Sequence, residues 1–163
     1  MFSKNKLMKL ILTIFIVFFT IVSNAQTINL YGGDSSSEFD VAYKIENGFV
    51  YHGGTGFNTL IKYTISDNKV FIGRSTSSFS CLYTIDGSKV YRGDSRFSSD
   101  VIYTIQDNKV YRGDFPSLPN CIYTYEDNKL YMGDSNFPTD ILFTISSNSI
   151  ISLAILAAII GPY

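Results

Sequence analysis

From residue 31 to residue 150 the chain is six consecutive units of 20 residues, with no insertion or deletion between them. A repeat of that length is a single supersecondary unit that cannot bury its own apolar face. Neighbouring copies must therefore stack side by side around a shared core. Position 1 of the unit is aromatic in every copy (Tyr31, Tyr51, Phe71, Tyr91, Tyr111, Tyr131) and position 3 is always glycine, from Gly33 to Gly133. Position 13 is aromatic too, ending in Phe143. Position 14 is threonine in five copies, from Thr64 to Thr144, and position 15 is isoleucine in five, with Tyr125 the exception. Short runs so rich in aromatic and β-branched residues read as strands, two to each unit.

The two kinds of strand are joined by a short turn, seen as Glu46-Asn47-Gly48-Phe49 and Ser66-Asp67-Asn68-Lys69. Glycine or asparagine at its third place suits a left-handed backbone, so the expectation is a three-residue loop with a type I turn and a bulge. That register puts positions 1, 3, 11, 13 and 15 on one apolar face. The threonines and the varied position 2 (His52, Ile72, Arg92, Arg112, Met132) then fall on a solvent side. A two-residue loop would mix these sets and is set aside. The other connection, from position 4 to position 10, is rich in serine, aspartate and proline and reads as a longer loop.

Twelve strands follow, and five hairpins are intact. The sixth forms only if the strand near Phe143 pairs with the one near Tyr31, which closes the ring and removes both sheet edges. Past Ser149, the stretch from Ile150 to Ile160 is apolar on all sides, a pattern that implies a buried helix. Twelve strands about 4.8 Å apart leave a lumen about one helix wide. The expected fold class is therefore all-β: a closed antiparallel ring of six repeats with a central apolar C-terminal helix at about residues 148–160.

The first 25 residues have the form of a secretory signal: Lys4, Lys6 and Lys9, an apolar run from Leu10 to Val22, then Ser23 and Ala25 before a cleavage point. A single domain over 26–163 is then exported to the periplasm, cell surface or medium. Without the signal, 10 basic side chains stand against 14 acidic ones, a formal charge of −4. That balance argues against nucleic acid, whose phosphates demand a basic face.

A ring of six 20-residue hairpins threaded by an apolar C-terminal helix resembles the β-flower families and, more distantly, the tubby-like C-terminal barrel. The Tyr-x-Gly-Asp and Tyr-Thr-Ile-x-Asp-Asn-Lys blocks carry the resemblance over residues 29 to 160. It implies a fold and no catalytic motif. The phosphoinositide binding of tubby-like barrels relies on a basic patch that this acidic chain lacks.

Candidate site residues cluster in the long loops. Each loop holds one phenylalanine (Phe39, Phe57, Phe79, Phe97, Phe115, Phe137). These either lid the core over one helix end or form an apolar rim for a membrane, glycan or protein partner. Asp34, Asp94, Asp114 and Asp134 follow the repeat glycine, with Asp40, Asp100 and Asp140 at the loop ends. They read as turn-formers bonding their own backbone, or less strongly as oxygen ligands for calcium. Two Arg-Gly-Asp triplets, at Arg92 and Arg112, fall on the repeat consensus. Lys69, Lys89, Lys109 and Lys129 are expected at the opposite mouth beside Asp67, Asp86, Asp107 and Asp127. Cys81 and Cys121 share position 11, two repeats or about 19 Å apart by strand spacing, too far for a disulfide. The single histidine, His52, has no partner at metal or triad spacing. The expectation is a monomeric, non-enzymatic binding module without cofactor or metal. The alternative is a structural or membrane-associated protein held by its apolar termini.

Overall fold

The computed structural model describes residues 27–53, 61–146 and 151–161. The segment expected to be a signal, Phe57 and residues 148–150 lie outside them. Twelve strands run as β1 (Ile28–Gly32), β2 (Val41–Glu46), β3 (Phe49–His52), β4 (Ile61–Ser66), β5 (Lys69–Ile72) and β6 (Cys81–Asp86), then β7 (Lys89–Arg92), β8 (Val101–Gln106), β9 (Lys109–Arg112), β10 (Cys121–Glu126), β11 (Lys129–Met132) and β12 (Ile141–Ile145). They form a closed antiparallel barrel in which each strand pairs with its neighbours in sequence and β12 pairs with β1. Leu30 faces Ile145 and Tyr31 faces Thr144, the same register by which Val50 faces Ile45 and Tyr51 faces Lys44 inside the first hairpin. The sixth hairpin is thus made from the two ends of the repeat array, as the counting of strands requires.

The turn differs from the sequence expectation. Ser66 pairs directly with Lys69, leaving only Asp67 and Asn68 between strands. Both have positive φ, 49° and 59°, the pattern of a two-residue type I′ turn, whose twist matches that of the strands it joins. Asn47-Gly48, Asp107-Asn108 and Asp127-Asn128 repeat it, while in Gly87-Ser88 only the glycine is positive.

That one-residue change moves side chains between faces. Position 20 (Val50, Val70, Val90, Val110, Leu130) has no solvent exposure at all. With positions 13 and 15 it lines the interior. On the other strand Val70 faces Tyr83 while Phe71 faces Cys81, so Leu82 is an extra, bulged residue. The bulge turns position 11 outward and position 13 inward. Positions 1, 11 and 14 form a second layer on the outer wall, and Thr64, Thr84 and Thr104 in it are buried. The threonines are buried or half-buried, not turned fully to solvent, and each hydroxyl donates to the carbonyl of the next repeat's glycine. Thr84 bonds Gly93 at 2.8 Å, Thr104 bonds Gly113 at 2.8 Å, and Thr144 bonds Gly33 at 2.8 Å across the seam.

The helix α1 (Leu153–Ile160) begins later than expected, with Ser152 as its cap, accepting from the Ile155 amide at 3.2 Å. Ala154, Leu156, Ala157, Ala158 and Ile159 are buried in the same core as the inward strand residues. It lies closest to β5 through β9. Its C-terminal end reaches the level of position 13, where the Tyr123 hydroxyl donates to the Gly161 carbonyl. Small alanines let the helix approach the wall, and each fully buried Leu or Ile contributes about 1.5–3 kcal/mol. Among the described residues no helix is long and apolar enough to cross a membrane.

Candidate functional site at the loop-bearing end

Among the described residues the long loops leave the barrel at one end and the two-residue turns at the other. Five loops have a short 3-10 turn: Glu38–Asp40, Ser78–Ser80, Ser98–Asp100, Leu118–Asn120 and Pro138–Asp140. Their serines organise them. In the first loop the Ser35 hydroxyl accepts from the Ser37 amide at 3.1 Å and donates to Asp40 at 2.6 Å. Ser95 and Ser135 likewise accept from the Phe97 and Phe137 amides, both at 3.2 Å, and donate to Asp100 and Asp140. Asp40, Asp100 and Asp140 therefore fasten serine hydroxyls, where the sequence suggested bonds to their own backbone.

The five described loop phenylalanines do not lid the core. Phe39 is 93% exposed, Phe79 fully exposed, Phe97 75%, Phe115 78% and Phe137 68%, with Leu118 at 65% beside them. The rings stand out in water around the loop-bearing end.

The four aspartates after the repeat glycine look the other way, onto the outer wall. Lys69 pairs with Asp94 at 2.7 Å, Lys129 with Asp34 at 2.7 Å, Lys89 with Asp114 and Lys109 with Asp134. The lysines thus make their ion pairs with the loop aspartates and not with the turn acids. Lys69, Lys89 and Lys109 each reach up the wall to the loop 25 residues on, and Lys129 makes the equivalent pair with Asp34 across the seam. The hydrogen bond to its aspartate raises the pKa of Lys89, Lys109 and Lys129. In the first repeat the lysine is replaced by Phe49, and its partner position holds Arg74, whose guanidinium lies 6.0 Å from the Phe49 ring. One contact has been exchanged for another at the same pair of positions.

The inner side of this end was not foreseen. Position 13 (Tyr43, Tyr63, Tyr83, Tyr103, Tyr123, Phe143) makes a ring of aromatics around the lumen. Directly opposed to it in the ladder is position 2: Tyr43 with His52, Tyr63 with Ile72, Tyr83 with Arg92, Tyr103 with Arg112, Tyr123 with Met132. Directly opposed residues share a face. These side chains therefore stand over the inner mouth, at the exposed edge of the aromatic ring. His52 packs edge-on against Tyr43 with centroids 5.8 Å apart. Lys62 donates to the Tyr43 hydroxyl at 3.2 Å and lies 5.0 and 5.3 Å from the Tyr43 and Tyr63 ring centres. Burial alone would lower the Lys62 pKa, but the two phenols outweigh it and raise it. The signal that could have located this mouth was the Asp-Asn and Asn-Gly turn dipeptides, which favour a two-residue turn and so fix position 2 inward.

Other candidates offer less chemistry. An open groove of about 360 Å³ on the wall is lined by Lys109, Thr124, Tyr125, Glu126 and Asp134, but its lysine and Asp134 are already paired. Among the described residues no group of His, Cys, Asp or Glu is placed to hold a metal. Cys81 and Cys121 are free thiols on the outer wall, not in the interior, and burial pushes the Cys121 thiol up, away from nucleophilic reactivity. Compared with known protein families, residues 20–156 match the family described as 6-fold beta flower protein. The chain matches no curated protein and no solved structure.

Proposed function

Because the chain belongs to the 6-fold beta flower family, small repeat proteins of unclear function, we propose that it is an exported, non-enzymatic interaction module whose binding face is the loop-bearing end. One observation carries the reading. Five phenylalanines on five separate loops are held between 68% and full exposure by loops braced with their own hydrogen bonds. Keeping large apolar side chains in water costs solubility, and exposed aromatics concentrated at one end are the usual mark of a contact surface. The anchors are spread round a ring with a wall circumference near 58 Å, about 4.8 Å for each strand. Such a spread suits a macromolecular partner of ordinary interface size, not a small ligand. The module acts as a monomer and needs no cofactor. Holding by an apolar C-terminal tail, the alternative, is disfavoured because Ala154 to Ile159 are packed in the barrel core.

Site-directed photo-crosslinking tests this. With p-benzoylphenylalanine in place of Phe97, irradiation in the host's envelope fraction should give a discrete adduct. The same group in place of Asp107, at the turn end, should give none. Equal adducts from both positions, or none from Phe97, would remove the loop end as the binding face.

A further inference from the structure

We propose that the centre of this face is a receptor for an acidic peptide segment, held by Arg92 and Arg112 over the ring of tyrosines. The proposal rests on the reading of the loop end as a binding face and names the chemistry of what enters it.

The argument begins with how the basic side chains are used. Lys44, Lys69, Lys89, Lys109, Lys129 and Arg96 each pair with a carboxylate. Lys62 bonds to Tyr43, and Arg74 lies over Phe49. Among the described residues Arg92 and Arg112 have no carboxylate within ion-pair distance, although the chain is acidic overall. Their immediate sequence explains how this arises. In Arg92-Gly93-Asp94 and Arg112-Gly113-Asp114 the glycine, at φ 64° and 82°, turns the chain. The arginine faces the inner mouth, and the aspartate faces the outer wall, where Lys69 or Lys89 engages it. The two triplets are therefore split between opposite sides of the barrel. They cannot present arginine and aspartate together, and the charge of each arginine is left at the mouth.

The setting favours an anion there. The walls are aromatic, so the field of the guanidinium groups is less screened than on an open surface. Of the loop aspartates, Asp34, Asp94, Asp114 and Asp134 are neutralised by lysines on the far side of the wall, and Asp40, Asp100 and Asp140 are held by serine hydroxyls within their own loops. The Gly161 carbonyl at the end of α1 is taken by Tyr123 and does not compete. The lumen below is filled by the helix and the aromatic ring, so a ligand can only lie across the mouth.

Spacing selects the ligand. Arg92 ends β7 and Arg112 ends β9, with β8 between them, about 10 Å apart at the backbone. Alternate residues of an extended peptide are about 6.7 Å apart on one side. Two carboxylates at i and i+2 therefore match two arginines whose flexible side chains converge slightly. Arginine is suited to this work because its planar fork binds a carboxylate through two parallel hydrogen bonds.

The test is fluorescence anisotropy of labelled hexaglutamate titrated with the full chain at low and physiological salt, with labelled hexalysine as the control. Hexaglutamate should bind and hexalysine should not, and salt should weaken the binding. Arg92→Gln with Arg112→Gln should reduce affinity about ten-fold or more. Arg96→Gln, at an arginine already paired with Asp86, should leave it unchanged. A circular-dichroism melt confirms that the exposed substitutions leave the fold intact. No binding of hexaglutamate, or equal binding by the double variant, overturns the proposal. The photo-crosslink from Phe97 is read separately, so the acidic-segment site can fail while the binding face stands.

Discussion

Thr144 donates its hydroxyl to the carbonyl of Gly33 at 2.8 Å although 111 residues separate them. Thr124 makes the same bond to Gly133 nine residues away, also at 2.8 Å. The seam is therefore built like any other joint of the ring, except that no chain connects its two sides. Loss of the hydroxyl without loss of volume leaves a carbonyl short of a partner, at a cost of about 1–2 kcal/mol. Thr144→Val and Thr124→Val should lower the urea midpoint to similar extents. A lowered midpoint for Thr124→Val alone would mean that β12 and β1 do not pair in solution.

The tyrosine ring gives the barrel an alkaline weakness. Burial, reinforced by neighbouring Tyr83 and Tyr123, pushes the Tyr103 phenol from 10 up to about 12, and Arg112 opposes the shift. Between those values the unfolded chain releases this proton while the folded chain keeps it. Stability must then fall as pH rises through 10 and level off above about 12. Burial raises Tyr83 and Tyr125 as well, with the same sign. Melting temperature should fall from pH about 9 to about 11.5, less steeply in Tyr103→Phe and more steeply in Arg112→Gln. Identical slopes in all three would separate the tyrosine ring from the alkaline transition.

The architecture was legible because it follows from counting. Six units of fixed length with two strands each, and an unpaired strand at either end of the array, have one solution without exposed edges, the closed ring. The assignment of faces was less legible, since it depends on a single residue in the turn. A three-residue loop put Tyr31 and Tyr43 together inside and Arg92 and Arg112 out in solvent. The two-residue turn and the bulge at position 12, seen at Leu82, reverse this. Tyr31 belongs to the outer layer, where its hydroxyl meets Glu38 at 3.4 Å. Arg92 stands opposite Tyr83 over the lumen. No pattern of apolar residues could have decided the matter, because both faces of this wall are partly buried. The lysine–aspartate pairs were hidden for a different reason. Lys69 and Asp94 sit in units two apart, so nothing within one repeat points from one to the other.

The turn itself can be tested by exchanging residues between repeats. Gly48 has φ 77°, and a β-carbon built there would lie 2.8 Å from the Ile65 carbonyl oxygen. Backbone at that distance cannot swing aside as a side-chain tip would. Gly48→Ala should therefore cost about 1–3 kcal/mol from strain and crowding together. The equivalent place in the second repeat is Asn68, at φ 59°, which an asparagine tolerates and a glycine adopts freely. Asn68→Gly should raise stability by a few tenths of a kcal/mol to about 1 kcal/mol, as the Asp-Gly dipeptide is among the strongest formers of this turn. A three-residue loop makes a different demand, since only one of its residues is left-handed. Asp67→Ala would then be nearly neutral, whereas the two-residue turn, with Asp67 at φ 49°, makes it destabilising. Urea midpoints of the three variants measured side by side decide between the turns, and with them which side of the barrel Arg92 and Arg112 occupy.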